Sequence, residues 1–495
     1  MRHSDASSDP RPVVAIAGAT GFVGAALRDL LAPHYRIIGL TRSPVRAEKH
    51  QDDPDVTWRH CDLYSLLQLE EALQGVDYAI YLVHSMLPSA RMVQANFADL
   101  DVILADNFAR AAELNGVKQI LYLGGLQPDG AEDDPEGTSK HLASRLEVEA
   151  TLAGRGVPVT ALRAGIVVGP GGSSLRILLN LVRRLPVMVL PKWTQSKSQP
   201  VAIEDVERAV LRCLGNEETF GQAYDIGGPE QLTYAEMIAR AARALGKKRW
   251  LFPIPFLTPG LSRLWVVLVS GAPMALVGPL VESLKHSLTV SDNPVQRALL
   301  PGATSFDEAL RRSIDDEGRP LPNPRKALRP LEKKSLREAR TVQSVQRMPL
   351  PRGRDAEWVA FEYMRWLPRF VWPLLRADVS DDGVVRFSVF GKRSWSLLEL
   401  SHAPDRSVPD RQLFYITGGL LARGPGEAVE GSPGRFEFRE VLGGRAIVAA
   451  IHDFRPALPW YIYQWTQALV HLWVMNGFRG HLSQVPELLP ESTAS

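Results

Sequence analysis

Three glycines at intervals of three residues stand near the amino terminus, in Gly18-Ala19-Thr20-Gly21-Phe22-Val23-Gly24. They follow a short apolar run over 13–17 and open a helical pattern over 22–31. The spacing therefore predicts a strand, a tight turn and a helix. Gly18 permits the turn, Gly21 lets the backbone approach a pyrophosphate, and Gly24 lets the helix pack on the strands. The helix N-terminus offers free N–H groups and a positive dipole end to the phosphates, with Thr20, Phe22 and Val23 in the same loop. The chemistry this pattern serves is the binding of a dinucleotide.

The end of the second strand discriminates between dinucleotides. An acidic residue there binds a ribose 2′-hydroxyl. This chain reads Thr41-Arg42-Ser43, with Arg46 close behind and no carboxylate. Arg42 suits a 2′-phosphate, and Thr41 and Ser43 are hydrogen-bond donors beside it. The expected cofactor is NADP(H), with NAD as the alternative. Asp62 and Leu63 follow the third strand, where an adenine amino group would be read. Val83 ends the fourth, and His84 and Ser85 follow it, in the crevice where such sheets bind ligands.

These residues need a parallel sheet to position them. Strand-like runs over 13–17, 35–40, 56–59, 78–83, 119–123 and 159–162 alternate with helical patterns, which implies a doubly wound α/β Rossmann sheet. Residues from 173 to about 309 mix helices with Pro-rich turns and read as a small substrate lobe. We expect a polar tail over 1–12, a first domain over 13–319, and a Pro-rich, basic linker over 320–340. A C-terminal α+β domain over 341–485 and a tail over 486–495 complete the division. In the C-terminal domain Val385, Phe387 and Val389 alternate with polar neighbours, as do Phe436 and Phe438, which predicts antiparallel strands. Helical patterns flank them over 356–375, carrying Trp358, Trp366 and Trp372, and over 459–478. The tryptophans read as core.

Composition narrows the function class. With 57 basic and 55 acidic residues the net charge is +2, which argues against a nucleic-acid binder. The two cysteines, Cys61 and Cys213, form no disulfide framework, and no Cys/His cluster has metal-ligand spacing. No metal is expected, and the setting expected is the cytoplasm. The uncharged apolar stretch 264–281 is at the short limit for a membrane span and is broken by Gly271, Pro273, Gly278 and Pro279, so it reads as docked helices.

The glycine motif, together with Pro200-Val201-Ala202-Ile203-Glu204-Asp205-Val206 and Tyr224-Asp225-Ile226-Gly227-Gly228-Pro229-Glu230, resembles the extended and atypical short-chain dehydrogenase/reductases. Tyr81-Leu82-Val83-His84-Ser85-Met86 and Leu121-Tyr122-Leu123-Gly124-Gly125-Leu126 are similar to its atypical branch, which includes the Rossmann accessory subunit of respiratory complex I. The C-terminal part resembles an uncharacterised domain fused to this branch. Its pattern, with Ala450-Ile451-His452-Asp453-Phe454, is similar to the helix-grip architecture of the polyketide-cyclase and lipid-transfer superfamily.

The resemblance implies a catalytic Ser, Tyr and Lys, and here the chain departs. The helix reads Ser139-Lys140-His141-Leu142-Ala143-Ser144-Arg145. His141 stands at the tyrosine position, Arg145 at the lysine position, and Gly124 or Gly125 at the serine position. Two readings follow. In one, His141 is the acid/base, Arg145 holds ribose or phosphate, Asn107 supports a water relay, and His84 and Ser85 touch nicotinamide or substrate. The protein is then an oxidoreductase acting on a bulky, apolar carbonyl, enone or quinone. In the other, NADP(H) is a structural or sensing ligand of an assembly or scaffold protein. An apolar small molecule is the expected ligand in the first reading. Membrane-peripheral contact, a protein-complex partner and the oligomeric state stay open.

Overall fold

The computed structural model describes residues 9–48, 55–84, 92–128, 139–254, 282–290, 298–322, 342–380, 383–390, 395–422, 434–463 and 465–486. The chain divides into two units, Met1–Leu87 with Leu104–Arg329, and Pro88–Ile103 with Pro330–Ser495. The second unit thus takes 88–103, a segment that the sequence reading places inside the first domain. The stretch 264–281, Ser85 and most of the expected linker lie outside the described residues. Among the described residues no helix is long and apolar enough to cross a membrane.

In the first unit seven strands form one parallel sheet: β1 (Val13–Ala17), β2 (Arg36–Thr41), β3 (Val56–His60), β4 (Tyr78–Tyr81), β5 (Gln119–Gly125), β6 (Val159–Ala164) and β7 (Ala223–Ile226). Their spatial order is β7-β6-β5-β4-β1-β2-β3. Every residue of β1 is buried, because helices cover both faces of such a sheet. Chain direction across the sheet reverses between β1 and β4. Ala17 is in register with Leu40 on one side and Tyr81 on the other, so the three strand ends meet at one crevice.

The helices α1 (Phe22–Leu31), α2 (Phe97–Leu114) and α3 (Lys140–Ala153) follow β1, β4 and β5. A smaller lobe is built on α4 (Ser173–Arg184) and α6 (Tyr234–Ala244), while α5 (Ile203–Cys213) packs Val206, Ala209 and Val210 into the core of the main sheet. The lobe's core joins Leu175, Leu179 and Val182 of α4 to Met237 and Ile238 of α6. A reciprocal cap starts α6. Thr233 Oγ1 accepts from Glu236 N, and the Glu236 carboxylate accepts from Thr233 N at 2.7 Å.

The second unit is an antiparallel sheet of β8 (Val342–Pro349), β9 (Leu375–Val379), β10 (Val384–Val389), β11 (Ser396–His402), β12 (Arg411–Gly418), β13 (Gly434–Val441) and β14 (Ala446–Phe454), with α7 (Ala356–Phe370) and α8 (Gln467–Leu482). The order is β9-β10-β11-β12-β13-β14-β8, and the short strand Met92–Gln94 pairs in parallel with β8. The alternating residues Val385, Phe387, Phe436 and Phe438 do point into the core. Tyr363 of α7 is its centre, with the rings of Phe478, Phe438 and Phe436 at 5.0, 5.4 and 5.5 Å.

Both flanking helices differ from the sequence expectation. The first stops at Phe370 instead of 375, because Pro373 cannot continue it and Leu375 opens β9. The second is two pieces, Trp460–Tyr463 and α8, the latter running to Leu482. The tryptophans also divide. Trp366 is buried, while Trp372, Trp395, Trp465 and Trp473 are exposed.

Candidate functional site

The glycine loop has the geometry its spacing implies. Gly18 takes a φ of +91°, and Gly21 N donates to the Gly18 carbonyl at 2.8 Å, closing the turn. Gly24 packs so tightly on the loop that a Cβ there would overlap the Gly18 carbonyl and Ala19. At the N-terminus of α1 the capping position is Gly21, with no side-chain cap and no acidic residue in the first turn. Those N–H groups therefore face the crevice with their positive end uncompensated by the chain's own side chains.

On the other side of the switch point the chain leaving β4 lies against this loop. A Cβ on Gly18 would stand 3.1 Å from Leu82 Cβ. His84 follows two residues later. Its side chain is exposed to solvent, yet its pKa is pushed down to about 4, by desolvation and then by the Arg145 cation. Exposure together with surrounding protein dense enough to disfavour imidazolium is the condition of a side chain at the mouth of a crevice.

His141 and Arg145 come from α3, which Ser139 caps by accepting from Leu142 N at 3.4 Å. Being four residues apart, they share one face of the helix. Arg145 is buried, and its Cγ lies 3.6 Å from where a Gly125 Cβ would be, at the carboxyl end of β5. His141 is pushed down to about 3 by desolvation, then by Arg145, then by His84. The three residues thus share one electrostatic neighbourhood, two neutral imidazoles beside a guanidinium.

The remaining expected residues scatter around this centre. Arg42 is exposed at the end of β2. Thr41 Oγ1 accepts from Ser43 N at 3.2 Å and Ser43 Oγ accepts from Arg46 N at 3.3 Å, which leaves both hydroxyl protons to donate. The Arg46 guanidinium lies over Trp58, 5.0 Å from its ring centre. Asp62 accepts from Tyr64 N at 3.1 Å and shapes the turn after β3. Asn107, fully buried, donates to the Leu63 carbonyl at 2.9 Å, so it holds that same turn from α2.

The two later motifs are ties between sheet and lobe. Buried Asp205 accepts from Thr304 N at 2.8 Å, and Gln199, just before the first motif, donates to the Gly228 carbonyl at 2.7 Å. His452, in the second unit, is buried against Glu437 at 3.1 Å, and Asp453 pairs with Arg435 at 2.6 Å. Sequence reasoning did not find the Glu437 network, whose residues are far apart in the chain. Among the described residues no His, Cys, Asp and Glu group could hold a metal.

Residues 14–227 match the NAD dependent epimerase/dehydratase family. The first unit has a Rossmann-like parallel sheet and resembles that family over these residues. The chain is 33% identical over 119 residues to the auxiliary protein GraX of Staphylococcus aureus, covering 24% of this chain and 38% of that protein. It is 23% identical over 261 residues to a UDP-glucose 4-epimerase of Vibrio cholerae, covering 49% of this chain and 78% of the relative. A similar solved structure is an NADPH-dependent quinone oxidoreductase of Escherichia coli, with TM-score 0.48 and 22% identity. It covers 60% of this chain and 98% of that one. Of the second unit, only 88–103 falls within the family match.

Proposed function

We propose that the first unit binds NADP(H) and acts as an oxidoreductase on a bulky, largely apolar enone, quinone or carbonyl. The observation that carries this reading is the gathering of His84, His141 and Arg145 beside the glycine loop. The site fits a dinucleotide: the loop has no Cβ at its closest approaches, and the first turn of α1 carries no acid to repel phosphate. Gly18 to Gly24 would hold the pyrophosphate, Asp62 and Leu63 would flank adenine, and Arg42 with Thr41 and Ser43 would take the 2′-phosphate. The NAD dependence of the family matched over residues 14–227 supports a dinucleotide in this loop.

When bound, the dinucleotide supplies hydride. The chain's own task is then the negative charge left on the substrate oxygen. Arg145 is the fixed cation for it. The two imidazoles are neutral at pH 7, so each offers an N–H as a hydrogen-bond donor but neither has an acidic proton to give. This suits enones and quinones best, because an enolate or a hydroquinone anion takes its proton from water without a strong acid. A saturated ketone would need the Tyr–Lys pair this helix lacks.

The neutral histidines also favour a second reading, in which NADP(H) is bound but not used, as in a sensor or scaffold protein. The two separate in stopped-flow oxidation of NADPH with a short-chain quinone and a cyclic enone. The enzyme reading expects turnover that falls roughly 10²-fold or more in Arg145→Ala while NADPH affinity changes little. Tight NADPH binding without turnover on either acceptor would leave the sensor reading. In the second unit, the order of one strand, one helix, six antiparallel strands and a last helix supports a helix-grip-like reading. The buried, unpaired cysteines suit a cytoplasmic setting.

A further inference from the structure

Helix α3 carries three ionisable side chains at intervals of four, His141, Arg145 and Glu149, so they lie on one face. A helical side chain leans toward the N-terminus of its helix, which directs Glu149 back toward Arg145. A cation and an acid at this spacing ordinarily pair. In this helix they do not. Both Glu149 oxygens accept from Arg163, the next-to-last residue of β6: Oε2 from Nε at 3.0 Å and Oε1 from Nη2 at 2.7 Å. The two side chains are only 20% and 17% exposed, so solvent screens this bidentate pair little. Among the described residues no carboxylate pairs with Arg145, which is itself nine-tenths buried.

The fold selects this arrangement. Leu162 and Ala164 enter the core on one face of β6, so Arg163 projects to the other face, where it meets Glu149 of α3. Arg163 is in register with Gly124 of β5, and Arg145 Cγ lies 3.6 Å from the Cβ position of Gly125. The two guanidiniums thus belong to the ends of neighbouring strands, with one acid between them in the chain of α3. Tyr122 Oη donates to the Arg145 carbonyl at 3.3 Å, which ties that turn of α3 to β5. The turn is fixed, and the charge at the Arg145 head is decided by whether Glu149 reaches it.

We propose that Arg163 is a positioning residue: by engaging both oxygens of Glu149 it keeps the Arg145 guanidinium available to a substrate anion. The inference rests on the role given to Arg145 in the oxidoreductase reading. A carboxylate paired with Arg145 would occupy its N–H donors and cancel its charge. A developing enolate or hydroquinone anion would then lose its fixed cation. Arg163 acts through Glu149 and needs no contact with substrate. The two histidines report the same charge. His84 and His141 are each held down first by burial and then by the Arg145 cation, an influence that a paired Arg145 would not exert.

Steady-state NADPH oxidation by the full chain with a short-chain quinone tests this. Arg163→Met should lower kcat roughly tenfold or more and leave KM for NADPH nearly unchanged, because Glu149 then turns to Arg145. Adding Glu149→Gln to that variant should restore kcat to within about threefold of wild type. Arg163→Lys, which keeps a cation on Glu149, should also stay near wild type. A residue that merely supports the fold would not be rescued by altering its partner. A second readout needs no acceptor. In protein isotope-labelled at histidine Cε1, the NMR titration midpoint of His141 should rise by about 1 pH unit or more in Arg163→Met and return in the double variant. The proposal is overturned if folded Arg163→Met keeps the wild-type kcat or leaves the His141 midpoint unmoved, or if the double variant is no better than the single. Where Arg163→Met does not fold, a loss of turnover in the Lys or double variant as deep as that of Arg145→Ala overturns it. Wild-type protein that binds NADPH without turnover would retire the oxidoreductase reading alone, and the His141 midpoint would then decide the role of Arg163.

Discussion

Any side chain larger than hydrogen at position 24 would place its Cβ well inside van der Waals contact distance of the Gly18 carbonyl oxygen. The contact ties the first turn of α1 to the phosphate loop, and backbone, not a flexible side chain, is what would have to move. Gly24→Ala is therefore expected to destabilise the first unit by about 1–3 kcal/mol. It should also abolish NADPH binding, because the N–H groups of the turn shift with the helix. Thermal unfolding and a fluorescence titration check the two effects. Retained affinity would mean that the loop is not where the dinucleotide sits.

Arg42 provides the complementary case, since it is exposed and its removal should leave stability unchanged. A charge-assisted bond to a 2′-phosphate contributes about 1.5–3 kcal/mol. Arg42→Ala should thus weaken NADPH binding by roughly 10–100-fold and leave NADH binding alone. Equal loss for both nucleotides would point to a packing defect instead of phosphate recognition.

What was legible in the sequence was whatever is local. The glycine spacing, the period of β1 and the acid-free end of β2 are each written within a few residues, and the parallel sheet follows from their alternation with helices. The replacement of Tyr and Lys by His141 and Arg145 was legible too, because helix spacing alone puts them on one face. Long-range pairings were not. Met92–Gln94 is a strand only because β8, some 250 residues later, pairs with it, and its own three residues carry no period. The exposed tryptophans were read as core because composition shows that a residue is apolar but not which end of a sheet its loop occupies. Nor could spacing show that Asn107 reaches the turn after β3, since that contact spans 44 residues.

That contact makes a prediction of its own. Asn107 Nδ2 holds the Leu63 carbonyl inside the sheet's helical layer, fully buried. Asn107→Ala leaves the carbonyl unsatisfied and should cost about 1–3 kcal/mol of stability. Because the turn it holds carries Asp62, the affinity for the dinucleotide should fall as well, through the adenine end. Comparing NADPH with nicotinamide mononucleotide separates the two ends. A defect of equal size for both would exclude this route.

The histidines set an acid limit. His141 and His84 titrate at about 3 and about 4 when folded, against 6.5 for an unperturbed histidine. Between these values the unfolded chain binds more protons than the folded one, so stability falls as pH drops from about 6.5 toward 4. His471 of the second unit, pushed down to about 4 by burial, acts in the same direction. The thermal midpoint should therefore decline over this window, and His141→Asn should make the decline shallower. If the variant's pH profile matched the wild type's, the neutral state assigned to His141 would be wrong.

Glu437 is the buried hinge of charge in the second unit. Its carboxylate accepts from Arg439 at 2.8 Å, from Arg411 at 2.8 Å and from His452 at 3.1 Å, with 2% of its side chain exposed. Burial alone would raise its pKa, but Arg439, Arg411 and His452 outweigh that and hold it well below the usual carboxylate range. It stays ionised above that depressed value, and its contribution to stability is lost only as pH falls through it. Glu437→Gln keeps the shape and removes the carboxylate charge that two buried guanidiniums face. A loss of about 3–5 kcal/mol is expected, the usual result of removing one partner from a buried pair. Replacing Glu437 and Arg439 together by Leu should cost less than the single change, because fewer uncompensated charges remain. Chemical denaturation of the three proteins decides it: if the double variant were the less stable, the penalty would lie in lost packing, not in the stranded arginines.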